Sequence, residues 1–281
     1  MEIQALLELY AAHPSVAALD NLLQEGDARN MSLKGLNGSA GALVIASLFK
    51  RRSLSLLAIL NDQEEAGYFY HDLTQLLGNE AVLFFPSAYR RDIKYGHIDP
   101  ANEILRTEVL SRLQDTENTN LIVTYPDALA ERVVEREVLK DNTLKLSVGE
   151  KVDNMFVSDV LDSYGFEAVD YVYEPGQYAL RGSILDVFSY SYEFPYRIDF
   201  FGDEVETIRS FDVETQLSKE KLASIYIVPE LSKGAKGSAS LLRSLAPQTL
   251  IVAKDLAWCK ERIGSIWNEE PVVGDEESFA D

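Results

Sequence analysis

Gly35-Leu36-Asn37-Gly38-Ser39-Ala40-Gly41-Ala42 lies between a strand-like run, Met31 to Leu36, and a helical run, Ser39 to Phe49. A phosphate-binding loop of the form GxxxxGKS or GxxxxGKT occupies that place in many nucleotide sites. Its amides and helix N-terminus cradle phosphate, its lysine neutralises the terminal phosphates and its hydroxyl ligates Mg²⁺. Aligned from Gly35, the second glycine is Ala40, the lysine is Gly41 and the hydroxyl is Ala42. Phosphoryl transfer depends on both missing groups. Gly35, Gly38, Ala40, Gly41 and Ala42 are therefore expected to form a degenerate phosphate loop, non-functional in catalysis and a weak anion site at most.

Nothing else completes a nucleotide or metal site. The apolar run Leu121 to Tyr125 ends in Pro126-Asp127 without the paired acids that would hold Mg²⁺, and Asp275-Glu276-Glu277 follows only Val272-Val273-Gly274. His13, His71 and His97 stand far apart, none at metal-ligand spacing. One cysteine, Cys259, allows neither an intramolecular disulfide nor a cysteine metal centre. No catalytic residue, metal or cofactor is expected of this chain.

With 26 Lys and Arg against 46 Asp and Glu, the net charge is −20. Such a field repels a phosphate backbone and forfeits the counterion release that drives non-specific DNA binding. Residues 151 to 230 hold 6 basic and 16 acidic side chains, so single basic residues stand out there. No apolar run reaches the roughly 20 residues of a membrane span, and the N-terminus lacks the basic start of a secretory signal. A cytoplasmic chain with no membrane partner is expected, in keeping with the single thiol.

The elements that would position these residues follow from periodicity. Ile3, Leu6, Leu7 and Tyr10 share one helical face, and Val16, Leu19, Leu22 and Leu23 another after Pro14. Strands at Met31 to Leu36, Leu54 to Leu60, Ala81 to Phe85 and Leu121 to Tyr125 alternate with helices at Ser39 to Phe49, Glu64 to Leu77 and Glu103 to Leu113. Continuous apolar strands alternating with helices call for a parallel sheet covered on both faces. From Thr143 the texture changes to aromatic and β-branched strands separated by Pro-Gly and Gly-Asp turns, with one helix from Met155 to Tyr164. An α/β parallel-sheet domain with a phosphate-loop-like start is expected over 1–140, carrying an inserted α+β antiparallel-sheet domain over 141–230. Residues 231–281 return to the first domain through a strand at Thr249 to Ala253, and the acidic end, Val273 to Asp281, closes no unit, as in a truncated chain.

Residues 171 to 216 contain Glu174-Pro175-Gly176-Gln177-Tyr178, Arg181 to Phe188, Pro195 to Phe201 and Glu204 to Phe211. In that order these motifs resemble domain 2 of the UvrB/Mfd group, and GLNGSAGA with its preceding helices resembles the N-terminus of bacterial transcription-repair coupling factors. The resemblance spans essentially the whole chain. UvrB itself has an intact phosphate loop and a long tyrosine-rich hairpin; here Gly41 and Ala42 replace the lysine and threonine, and Phe85-Pro86 is followed by the short basic run Tyr89 to Tyr95. The coupling-factor branch fits both departures. The resemblance implies UvrB domain 1a/1b-like and domain 2-like folds and a module that recruits UvrA in transcription-coupled excision repair. It also implies an ATP-hydrolysing translocase, with contacts to RNA polymerase and DNA, in downstream domains absent here. It leaves room for a later domain to mask the UvrA face within one molecule. A UvrB-type damage-loading NTPase and an interaction domain for another partner are the competing readings.

Within this family the UvrA contacts are two arginines and a phenylalanine, whose motif positions fall on Arg181, Arg197 and Phe201. Alternation along Tyr196 to Phe201 independently sets Arg197, Asp199 and Phe201 on one face, opposite Tyr196, Ile198 and Phe200. Counted straight through, Leu185 and Val187 would share the face of Arg181. The structural alternatives are ion pairs of Arg181 with Asp186 or Glu204 and of Arg197 with Asp199. Gly176 and Gly202 are expected to supply positive φ in turns.

Overall fold

The computed structural model describes residues 3–25, 30–52, 54–88, 100–115, 119–229 and 239–269. In chain order the first elements are α1 (Ile3–Ala11), α2 (Pro14–Glu25), α3 (Ala40–Arg52), β1 (Leu56–Ile59), α4 (Gln63–Leu77) and β2 (Val82–Phe84). Next come α5 (Pro100–Arg112), β3 (Leu121–Thr124), α6 (Pro126–Ala130), α7 (Arg136–Asp141), β4 (Leu144–Ser147), α8 (Asn154–Ser163) and β5 (Glu167–Ala168). A run of strands follows: β6 (Gln177–Arg181), β7 (Ile184–Val187), β8 (Tyr196–Phe201), β9 (Glu204–Phe211), β10 (Ser218–Leu222) and β11 (Ser224–Ile227). The last are α9 (Leu241–Ser244), β12 (Leu250–Ala253) and α10 (Leu256–Glu269). The protein is thus a mixed α/β structure with one parallel sheet and separate antiparallel pairings.

The chain divides into two compact units. The first gathers Met1–Pro86, Thr116–Glu131 and Leu245–Asp281. Its sheet is parallel in the order β12-β1-β3-β2, with Leu56 registered between Leu250 and Leu121. β1 and β3 are buried at every position, as strands covered on both faces must be. α3 is buried from Ala42 through Leu48 and ends in Lys50, Arg51 and Arg52, cations placed at the negative end of the helix dipole. Arg52 Nε donates to Asp20 Oδ1 at 2.5 Å and fastens α2 to α3; that bond holds the Asp20 carboxyl below its ordinary pKa. α4 starts on Asp62, whose side chain accepts from the Glu65 amide at 2.9 Å.

One expected strand is absent. Residues 31–37 form no strand, and Met31, Leu33 and Leu36 are exposed. Gly35 turns to φ +83° and ends any extended run after four residues, of which Ser32 and Lys34 are polar and unsuited to a two-faced sheet. The place beside β1 is filled instead by β12, from late in the chain.

The second unit comprises Ser87–Asp115 and Arg132–Ser244, so α5 and α7 lie in it. Its main sheet has the order β10-β9-β8-β7-β6-β5, antiparallel except for the short β5–β6 pair. Leu185, Ile198, Phe200, Val205 and Ile208 line one face and pack with Val157 and Leu161 of α8 and with Leu146, Ile225 and Ile227 of the β4–β11 pair. Tyr178, on the same core, donates from its hydroxyl to Asp162 Oδ1 at 2.7 Å; burial, then this carboxylate, push its pKa up to about 12. The opposite face of the sheet is the one that carries charge.

Candidate functional site

β6 and β7 are joined by the two-residue turn Gly182-Ser183, and β8 and β9 by Gly202-Asp203. In each turn the first residue has positive φ, +64° at Gly182 and +62° at Gly202, which a glycine supplies without a Cβ clash. Gly176, at φ +88°, serves the chain in the same way as expected. The tight turn also resets the parity count. Arg181 pairs with Ile184, so its side chain shares a face with Asp186 and not with Leu185 and Val187, which belong to the core. Arg181 therefore points outward with Arg197, Asp199 and Phe201.

Asp186 holds this face together. It is 1% exposed, and it sits directly across from Arg197 on β8 and from Ala179 on β6. Arg197 Nε donates to Asp186 Oδ1 at 2.7 Å and Arg197 Nη2 to Oδ2 at 2.8 Å, a bidentate pair. Arg181 Nη2 donates to the same Oδ2. Of the two alternatives for Arg181, Asp186 and not Glu204 is its partner. The alternative pairing of Arg197 with Asp199 is replaced by this one, and Asp199 instead takes Arg209 Nη2 at 3.0 Å and the Thr207 hydroxyl at 2.7 Å. Cross-strand neighbours lie closer than residues two apart along one strand, so the carboxylate on β7 wins.

Further contacts fix each guanidinium. Arg197 Nη2 also donates to Gln216 Oε1 at 2.9 Å, and the guanidinium lies 4.3 Å from the centroid of the buried Phe211 ring. Gln216 is the one non-glycine residue with positive φ (+59°) among those described, a conformation that needs support from its surroundings. The bond to Asp186 keeps Arg197 protonated even above the ordinary arginine range. Arg181 Nη1 donates to the Asp170 carbonyl at 2.7 Å, and the guanidinium stands 5.2 Å over the Tyr171 ring. The Arg197 side chain is 16% exposed and that of Arg181 38%, so Arg197 forms the floor and Arg181 the rim.

Phe201 ends β8 with 79% of its surface in solvent. It lies on the same strand face as Arg197, about 13 Å away at ordinary strand rise. An exposed ring on the same face as anchored arginines has the composition of a protein-binding hot spot. The structure brings Arg181 and Arg197 onto one carboxylate and puts Phe201 at the end of their face. Sequence reasoning missed Asp186 as a shared anchor, along with Tyr171, Gln216 and Arg209. The signal that would have found them is cross-strand register, which depends on turn length.

Gly35 and Gly38 have positive φ and lie on the exposed segment before α3, while Ala40, Gly41 and Ala42 are already in the helix. Ala42 is fully buried, and a Cβ on Gly41 would touch the Phe69 ring at 3.4 Å. Asp127, the single acid after β3, is bound to Arg262 Nη2 at 2.7 Å. His13 accepts from the Ser15 amide at its Nδ1. Among the described residues no three His, Cys, Asp or Glu gather as a metal site, and no helix is long and apolar enough to cross a membrane. His97, the basic run Tyr89 to Tyr95 and the acidic end Val273 to Asp281 lie outside the described residues.

Residues 144–232 match the family described as the UvrB interaction domain. Among curated proteins, the transcription-repair-coupling factor of Escherichia coli (strain K12) is 28% identical over 222 residues, 78% of this chain and 19% of that protein. That of Bacillus subtilis (strain 168) is 32% identical over 210 residues, 74% of this chain and 18% of the relative. The Haemophilus influenzae factor is 30% identical over 194 residues, covering 68% and 16% respectively. The chain thus spans about a fifth of the length of the relatives it matches. The charged face built on Asp186 falls inside the stretch that matches the UvrB interaction domain, within a chain that is similar over most of its length to bacterial transcription-repair-coupling factors.

Proposed function

We propose that the outer face of the β6–β9 sheet docks UvrA, and that this chain is the UvrA-recruiting module of a transcription-repair coupling factor acting in transcription-coupled nucleotide excision repair. On this reading the parallel-sheet unit corresponds to UvrB domain 1a/1b and residues 141–230 to UvrB domain 2. ATP hydrolysis, translocation and contacts with RNA polymerase and DNA belong to parts of such a protein that this chain does not include. The observation that carries the reading is the arrangement of Arg181 and Arg197 on one buried carboxylate with Phe201 exposed at the end of their face, inside the stretch that matches the UvrB interaction domain. The chain's net charge of −20 and the missing lysine and hydroxyl at Gly41 and Ala42 favour a docking module over a damage-loading NTPase.

The test is UvrA binding by the wild-type chain and by Arg181→Ala, Arg197→Ala and Phe201→Ala. A desolvated arginine or aromatic anchor loses about 2 kcal/mol on truncation, roughly a 30-fold fall in affinity. Each variant should keep a cooperative melt. Wild-type affinity in all three folded variants would remove the site from this face.

A further inference from the structure

We propose that the docking face does not end at Arg197 but continues across the sheet to Arg209 on β9 and Lys221 on β10, and that these two cations meet carboxylates of the docked protein. The inference rests on the reading of this face as a UvrA site. Its basis is register: Asp186 stands opposite Arg197, Arg197 opposite Arg209, and Arg209 opposite Lys221, so four neighbouring strands contribute one straight row. Leu222 and Ile208, the next residues along, pair with each other on the core side, which fixes Lys221 and Arg209 on the outer side.

A row of this kind is unfavourable to the fold that carries it. Directly opposed side chains have Cβ atoms about 5 Å apart, and like charges in that position repel. Asp186 offsets Arg181 and Arg197, and Asp199 offsets Arg209, but no carboxylate among the described residues pairs with Lys221. Moreover, Arg209 Nε is buried with no acceptor, while its Nη2 has only Asp199. An unmet donor beside a single ion pair favours a guanidinium that turns toward a second carboxylate once one is offered. The concentration of charge is also selective: of the 6 basic residues between 151 and 230, Arg181, Arg197, Arg209 and Lys221 all stand on this one face.

The occupant is a protein surface bearing Asp and Glu, not a phosphate backbone. Asp186 and Asp199 alternate with the cations and would oppose a continuous line of phosphates, and the −20 chain around them adds long-range repulsion of a polyanion. Separate carboxylates on a folded partner can interdigitate with such a row and set its register.

The experiment titrates UvrA with the whole chain and with Arg209→Glu, Arg209→Gln, Lys221→Glu and Arg197→Ala, with melting temperatures and short-duplex DNA binding measured in parallel. Arg209→Glu is expected to weaken UvrA binding about tenfold or more and Lys221→Glu about fivefold, with Arg209→Gln between wild type and Arg209→Glu. The Lys221 variant tests the row even where an Arg209 variant melts early. Wild-type affinity in folded Arg209 and Lys221 variants, with binding lost in Arg197→Ala, would end the site at Arg197 and overturn the inference while leaving the proposed function standing. Wild-type affinity in Arg197→Ala as well would remove both. DNA binding by the wild-type chain that the Arg209 and Lys221 changes abolish, with UvrA affinity intact, would assign the row to nucleic acid and overturn it too.

Discussion

Asp186 serves two guanidiniums with one carboxylate that is almost wholly out of solvent, and this makes it the residue whose loss the face can least absorb. Removing it leaves Arg197, whose side chain is 16% exposed, beside Arg181 with no compensating charge. Asp186→Ala should therefore lower the unfolding free energy by about 3 kcal/mol, the range seen when one member of a buried pair is deleted, read as a fall in the urea midpoint. Phe201→Ala, at a position 79% in solvent, should leave the unfolding free energy within about 0.5 kcal/mol of wild type. An Asp186→Ala midpoint equal to wild type would contradict the shared-anchor geometry. The residue types of this site were legible in the sequence, and so was the outward direction of Arg197 and Phe201, because alternation along one strand needs no register. The partners were not legible. Arg197 meets Asp186 eleven positions back and not Asp199 two positions on, and only the pairing of β7 with β8 decides between them.

At the scale of elements, α1 to α5 and α8 were legible to within a few residues, because apolar spacing is a local signal, whereas the short α6 and α7 carry too few turns to show it. The strand expected at Met31 to Leu36 was not formed, because strand-like composition is insufficient without a neighbour to pair with and Gly35 breaks the run. That absence bears on nucleotide binding. A phosphate loop needs a strand to deliver the chain to the helix N-terminus, and here an exposed segment leads into α3. Restoring the motif chemistry alone should therefore fail. Gly41→Lys combined with Ala42→Thr is expected to show no saturable heat with MgATP at about 1 mM nucleotide. The added threonine atoms, at a site with no exposed surface, should lower stability by about 1–3 kcal/mol. Low-micromolar MgATP binding by the wild type or the double variant would revive the NTPase reading.

For the whole molecule the dominant quantity is the charge of −20, within which the outer sheet face is a local exception. A polyanion at distance senses the sum, whereas a docked protein senses the face. The chain alone should accordingly show no gel shift with duplex DNA, damaged or intact, at submicromolar protein and about 150 mM salt. A shift that survives those conditions would show that a local patch outweighs the net field. The parallel sheet also sets an order of assembly during synthesis. β1 is buried on both faces and hydrogen-bonded on both edges, yet one of those edges belongs to β12, which is translated roughly 190 residues later. At about 5–20 residues per second the ribosome would take on the order of 10–40 seconds to supply it. Throughout that interval an apolar strand has one bare edge, while Arg132 to Ser244 of the second unit are made and can fold. The nascent chain thus carries a transient aggregation hazard that the finished protein does not, and anything that slows translation between β1 and β12 prolongs it.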